Sequence, residues 1–168
     1  MSAVSLPRPT SPGSSAAPPI LFEQMVAADL PHVLEIERLA FPNPWTPGLF
    51  LHELKLAFSR LFLARTNNGA RRLLGYVCWW VVGDEVHILN LAVHPDARRS
   101  GSGRALVQRV VDDAAAHGAV SVSLEVGRRN EAAAALYRSM GFTQIGVRRN
   151  YYGEGEDAVI MERRLGPS

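Results

Sequence analysis

The residues with the clearest chemistry share one short junction. The apolar run Ile88-Leu89-Asn90-Leu91-Ala92-Val93 meets His94-Pro95-Asp96-Ala97-Arg98-Arg99-Ser100-Gly101-Ser102-Gly103, and a helical pattern follows from Arg104 to His117. A strand therefore feeds a basic, glycine-bearing turn that opens a helix. Amides in the first helical turn lack intrahelical acceptors, and the helix dipole is positive there. Glycine lets the backbone curl and approach a ligand with no Cβ in the way. Together these form an anion site, most naturally for phosphate, and Arg98, Arg99 and Arg104 add full positive charge. The junction predicts a phosphorylated cofactor held at residues 98–104. The same residues also fit a glycine-rich connection with surface arginines. No Gly-Lys-Ser/Thr follows, so this is not a P-loop. Gly101-Ser102-Gly103 also lacks the third Gly or Ala of a dinucleotide fingerprint.

Two further residues stand where chemistry could use them. Val120 to Val126 alternates strictly, which predicts a half-solvated strand with Ser121, Ser123 and Glu125 on its polar face. Asn130 caps a helix whose apolar stripe is Ala133, Leu136, Tyr137 and Met140, and Gly141 ends it. Taken alone, Glu125 reads as a solvated carboxylate or a base, and Tyr137 as a core tyrosine or an acid. Cys78 lies in the run Gly75 to Trp80 and reads as a packed strand residue. His87 and His94 read as strand and turn residues. No His, Cys or acidic cluster has metal-ligand spacing, so no metal is expected.

These residues must be positioned by a larger frame. Ile20 to Val26 predicts a strand, and Asp29 caps a helix to about Ala40 with Leu30, Val33, Ile36 and Leu39 on one face. Phe41-Pro42-Asn43-Pro44-Trp45 breaks it, and Thr46-Pro47 starts a second helix. Strands follow at Arg60 to Thr66, Leu73 to Val82 and Glu85 to Val93, with two more at Phe142 to Arg149 and Ala158 to Arg163. The predicted order is β-α-α-β-β-β-α-β-α-β-β. That is an α/β chain with one mixed sheet and helices on its faces.

Composition narrows the classes. The 168 residues suit one domain with a substantial core. A net charge of +2, with its arginine pairs scattered, is too diffuse for a nucleic-acid stripe but suits an anionic cofactor. One cysteine allows no disulfide within the chain, and a reducing compartment fits. Residues 1–19 are rich in Pro, Ser and Ala and read as a disordered tail, leaving 20–165 as the folded domain. No stretch has signal-peptide or membrane-spanning character, so a cytoplasmic location is expected.

The element order, with a glycine turn after the fourth strand, resembles the GNAT acetyltransferases. Their acetyl-CoA signature is Gln or Arg, two residues, Gly, one residue, then Gly or Ala; Arg98, Gly101 and Gly103 match it. Asn90 to Asp96, Leu124-Glu125-Val126, Asn130, Ala135-Leu136-Tyr137, Met140-Gly141-Phe142 and Arg148-Arg149-Asn150-Tyr151-Tyr152 look like the ribosomal-protein-alanine N-acetyltransferases of the RimI type. The resemblance implies acetyl-CoA as co-substrate, held by Leu91, Ala92, Val93, the turn Arg98 to Arg104, and Asn130. It implies Glu125 as the base that takes the amine proton and Tyr137 as the acid at the departing sulfur. It places Phe41, Trp45, Tyr151 and Tyr152 at the acceptor groove. Two positions depart from the pattern: Gly127, with Arg128 next, stands where the family has Arg, and the loop Phe41 to Trp45 is longer.

The implied acceptor is the N-terminal alanine of a small-subunit ribosomal protein, the eighteenth by resemblance. An α-amine has a pKa of about 7.7–8.0 against about 10.4 for lysine. That gap is about 3.5 kcal/mol of deprotonation cost at neutral pH. One ordinary carboxylate base therefore suits N-termini better than lysines. The alternatives are a GNAT enzyme for lysines or a small amine, and a silent acetyl-CoA-binding regulator. No nucleic-acid or membrane partner is expected.

Overall fold

A computed structural model describes residues 19–166; the tail expected over 1–19 lies, Pro19 apart, outside the described residues. Strand β1 (Ile20–Gln24) leads into helices α1 (Leu30–Ala40) and α2 (Pro47–Lys55). Strands β2 (Ser59–Thr66), β3 (Leu73–Val82) and β4 (Glu85–Val93) follow, then α3 (Ser102–Ala116), β5 (Ser121–Gly127) and α4 (Glu131–Ser139). Strands β6 (Thr143–Gly153) and β7 (Glu156–Arg164) close the fold. The element order is the expected one. All seven strands form one sheet in the order β1-β2-β3-β4-β5-β7-β6. Among the described residues only β4 and β5 pair in parallel, and α3 supplies the crossover that a parallel pair requires.

Each face of the sheet carries its own core. Val77, Trp79, Val86, Ile88, Val122 and Leu124 meet Leu106, Val107, Val110 and Tyr137 of α3 and α4. On the opposite face, Leu61, Leu63, Tyr76, Cys78 and Ala92 meet Val33, Ile36 and Phe50 of α1 and α2. Fully burying one such side chain contributes roughly 1.5–3 kcal/mol, so both helical layers are held firmly to the sheet.

A bulge links the two faces. Cys78 pairs with Asn90 while Trp79 pairs with Ile88, leaving Leu89 as an extra residue on β4. Val86 and Ile88 therefore face α3, whereas Asn90 and Ala92 face α1. Farther on, β4 and β5 separate. Their pairing covers only Glu85–Ile88 against Ser121–Leu124, although both strands continue, so a split opens between Leu89–Val93 and Glu125–Gly127.

Several local expectations change. Asp29 is not the side-chain cap of α1; a 3₁₀ turn precedes the helix, and its Oδ2 accepts from Val26 N–H instead. Leu39 is 54% exposed, because nine residues at about 100° each carry it to the side of α1 opposite Leu30, and Glu37 takes the buried place instead. Strand β5 keeps the expected alternation from Val122 onward, but Ser121, at its start, is buried as well. Strand β6 runs on to Gly153 and takes Tyr151 and Tyr152 into the sheet.

Candidate active site

The split between β4 and β5 organises the site. His94 N–H donates to Leu74 O across to β3. Hydrogen-bonding direction alternates along a strand, so the amides of Leu91 and Val93 point the other way, into the split. Ala92, committed to β3 by the same alternation, contributes backbone shape rather than a free donor. Unpaired strand amides bordering an open gap are ready donors for an extended, amide-bearing ligand arm.

The glycine turn sits at the end of this edge. Gly101 has φ +84° and forms the N-cap of α3, a left-handed conformation that glycine adopts without strain. Arg99 also has positive φ, +62°. Arg98, Arg99, Ser100 and Arg104 are exposed. Among the described residues, Arg98 and Arg99 make no ion pair. Ser100 Oγ bonds Ala97 O and lies 2.7 Å from Ser102 Oγ. Arg104 donates to Ser139 Oγ at 2.8 Å and so ties α3 to α4. A Cβ on Gly103 would stand 3.3 Å from Leu136 Cδ2; the glycine permits α4 to approach. Asn130 caps α4 by accepting from Ala133 N–H at 3.2 Å.

Glu125 and Tyr137 lie on opposite faces of the sheet. Val122, Leu124 and Val126 point toward α3 and α4, so Glu125 points toward the α1 side. Its side chain is only 6% exposed, with Oε2 2.7 Å from His87 Nε2 and Oε1 3.4 Å from Arg148 Nε. Tyr137 lies in the core beneath α4, edge-on to Phe142 at 5.7 Å. Burial pushes its hydroxyl up to about 12, helped by the nearby Tyr152, so it stays protonated at neutral pH. Tyr152 O–H donates to Glu125 O at 3.3 Å.

The expected groove residues form two pairs. Phe41 and Trp45 pack on the α1 core, with Trp45 N–H donating to Glu37 Oε1 at 2.9 Å. Tyr151 stands edge-on to Tyr152 at 4.9 Å, with Arg148 over its ring. No hydrogen bond or ring stack joins the two pairs among the described residues. Gly127 leaves room beside Tyr152, while Arg128 turns to Asp157 at 3.5 Å and away from the site.

Three residues escaped the sequence reading: His87, Arg148 and Glu37. His87 becomes visible only with the register that sets it beside Ser123. A cleft of about 510 Å³ between α4 and the β6–β7 hairpin shares Val126 and Gly127 with the β5 side of the split and contains no residue of β4 or α3. Among the described residues, no helix is long and apolar enough to cross a membrane, and no acidic, His or Cys cluster could hold a metal.

Known proteins share this sequence and fold. Residues 30–142 match the Acetyltransferase (GNAT) family. The ribosomal protein bS18-alanine N-acetyltransferase of Escherichia coli strain K12 is 39% identical over 136 residues, 79% of this chain and 89% of the relative. That of Haemophilus ducreyi is 32% identical over 145 residues, 84% of this chain and 97% of the relative. The crystal structure of the ribosomal-protein-S18-alanine N-acetyltransferase from Escherichia coli matches with a TM-score of 0.78 at 34% identity, covering 89% of this chain and 96% of that one. The split strands, the glycine turn and these relatives converge: the chain belongs to the GNAT acetyltransferase family.

Proposed function

We propose that this protein moves the acetyl group of acetyl-CoA to the α-amine of the N-terminal alanine of ribosomal protein bS18. That is the activity for which its relatives are named. The observation that carries the mechanism is the open edge of β4, with a carboxylate on one face and a protonated phenol on the other. GNAT enzymes take acetyl-CoA as acetyl donor. Here the phosphates would lie on the amides and arginines of residues 98–104, with the pantetheine arm along Leu91 and Val93 and within reach of Asn130.

Glu125 takes the proton of the acceptor amine, directly or through water. The freed electron pair forms the C–N bond at the thioester carbon, and an open β4 amide supports the charge on the carbonyl oxygen. The C–S bond then breaks and leaves its electron pair on sulfur, to which Tyr137 donates a hydrogen bond. A thiol of pKa about 8.5 is a stronger acid than a phenol near 12, so complete proton transfer would be uphill by about 5 kcal/mol. Tyr137 therefore stabilises the thiolate chiefly by hydrogen bonding. Residues 20–165 constitute the transferase domain, working on ribosomal protein in the cytoplasm.

The test is mass spectrometry after reaction with acetyl-CoA. An Ala-starting bS18 peptide is compared with an N-blocked peptide containing lysine. Acetyl on the α-amine is expected. Label on lysine with a free N-terminus untouched would move the enzyme to the lysine-directed alternative. Binding of acetyl-CoA with no transfer to any amine would make it a silent regulator.

A further inference from the structure

We propose that His87 is a positioning residue for Glu125, held in one tautomer by Ser123, so that one carboxylate oxygen is occupied and the other is presented to the acceptor amine. The proposal rests on the assignment of Glu125 as the base. His87 Nε2 lies 2.7 Å from Glu125 Oε2, and its Nδ1 lies 2.9 Å from Ser123 Oγ. A carboxylate oxygen only accepts, so Nε2 carries the hydrogen. In the neutral ring Nδ1 is then an acceptor, and Ser123 O–H donates to it. The parallel register sets this line: His87 stands beside Ser123, and Glu125 is two residues along β5 on the same face.

The environment makes the contact matter. The Glu125 side chain is 6% exposed and His87 30% exposed. A carboxylate so enclosed would rotate freely only at the cost of losing its donors. With Oε2 held by His87, Oε1 is the remaining oxygen, and its neighbour Arg148 is more than half exposed and free to swing aside for an incoming amine. Amine deprotonation thus falls to an oriented oxygen.

Other charged or polar groups line this row. Arg148 and Tyr152 come from β6, and Glu162 comes from β7 as the register partner of Ser123. Glu53 of α2 reaches the row through Trp80, the β3 partner of His87. Among the described residues His87 is the donor at Oε2, and Arg148 lies at Oε1.

The experiment compares His87→Ala, His87→Gln and Glu125→Gln in the full chain, with saturating acetyl-CoA and an accepted peptide. His87→Ala should lower kcat about tenfold to a hundredfold, the scale of a lost hydrogen bond to a charged group, with KM for acetyl-CoA unchanged. His87→Gln keeps an N–H donor, so it should recover much of that loss. Adding His87→Gln to Glu125→Gln should cost nothing further. A wild-type kcat in His87→Ala, or no recovery in His87→Gln, would overturn the proposal. If His87→Ala does not fold, the double variant decides, and a further loss there would overturn it. An unaffected Glu125→Gln would instead remove the base assignment itself.

Discussion

Glu37 on α1 and Asn90 on β4 are joined by a hydrogen bond of 3.0 Å from Asn90 Nδ2 to Glu37 Oε2. The same buried carboxylate accepts from Trp45 N–H and from Tyr76 O–H. One side chain therefore anchors the loop before α2 and the strand beside the split. Burial and the Glu37 charge hold the Tyr76 hydroxyl far above its ordinary range, so it remains a donor at any working pH.

Glu37→Gln would keep one acceptor oxygen and turn the other into a donor; with the oxygen kept toward Tyr76 and Asn90, the new NH2 meets the Trp45 N–H. We expect stability to fall by about 1–3 kcal/mol, the cost of leaving a buried polar group unpaired. KM for the acceptor peptide should rise more than KM for acetyl-CoA, because Trp45 loses its anchor. Thermal melts and the two KM values test this; equal rises in both KM values would refute it.

Gly103→Val and Gly101→Val should both weaken acetyl-CoA binding, for different reasons. The first pushes against Leu136 of α4 and against Val93. The second meets open space but must hold φ +84°, a backbone penalty of roughly 1–2 kcal/mol. Calorimetry on folded variants gives the comparison, and an unchanged Kd in both would move the cofactor elsewhere.

Tyr137→Phe should keep the acetyl-CoA Kd and lose about 10²-fold in kcat, the scale of one lost hydrogen bond to developing charge. Its pH behaviour follows from the raised hydroxyl. Folded Tyr137 holds its proton to about pH 12, whereas an unfolded tyrosine loses it near 10. Its contribution to stability is complete below about pH 10 and fades as pH climbs toward 12. Between about pH 10 and 12 the wild type should therefore lose stability relative to Tyr137→Phe, which has no group to ionise, and alkaline melts of the two show this.

Glu125→Gln should slow turnover most at low pH, where the amine is protonated and a base is most needed. Above pH 8 the defect should shrink, since solvent supplies free α-amine. A defect constant across pH 6 to 9 would assign Glu125 a role other than base.

The strand and helix order was legible because apolar periodicity, Thr46, Asn130 and Gly141 each state a local preference that the fold keeps. The turn from Arg98 to Arg104 was legible for the same reason: its chemistry is contiguous. Glu125 and Tyr137 were not readable as partners from spacing alone, since one is on a strand and the other on a helix across the sheet. Their roles came with the family pattern. His87 and Glu37 stayed hidden because their meaning lies in register and burial. A histidine in a strand names no neighbour, and a glutamate in an amphipathic helix is ordinarily in water.

The extra residue at Leu89 acts as a parity switch. Upstream of it, β4 presents even-numbered side chains to α3; downstream, it presents them to α1. Deleting Leu89 would still leave Ile88 opposite Trp79 and Asn90 opposite Cys78, with the amides of Leu91 and Val93 turned away from β3 as before. What it would remove is the bend that a bulge imposes on its strand, and with it the room by which β4 parts from β5. The open edge thus depends on one surplus residue, whose loss would let the two strands close over the amides while sparing much of the core.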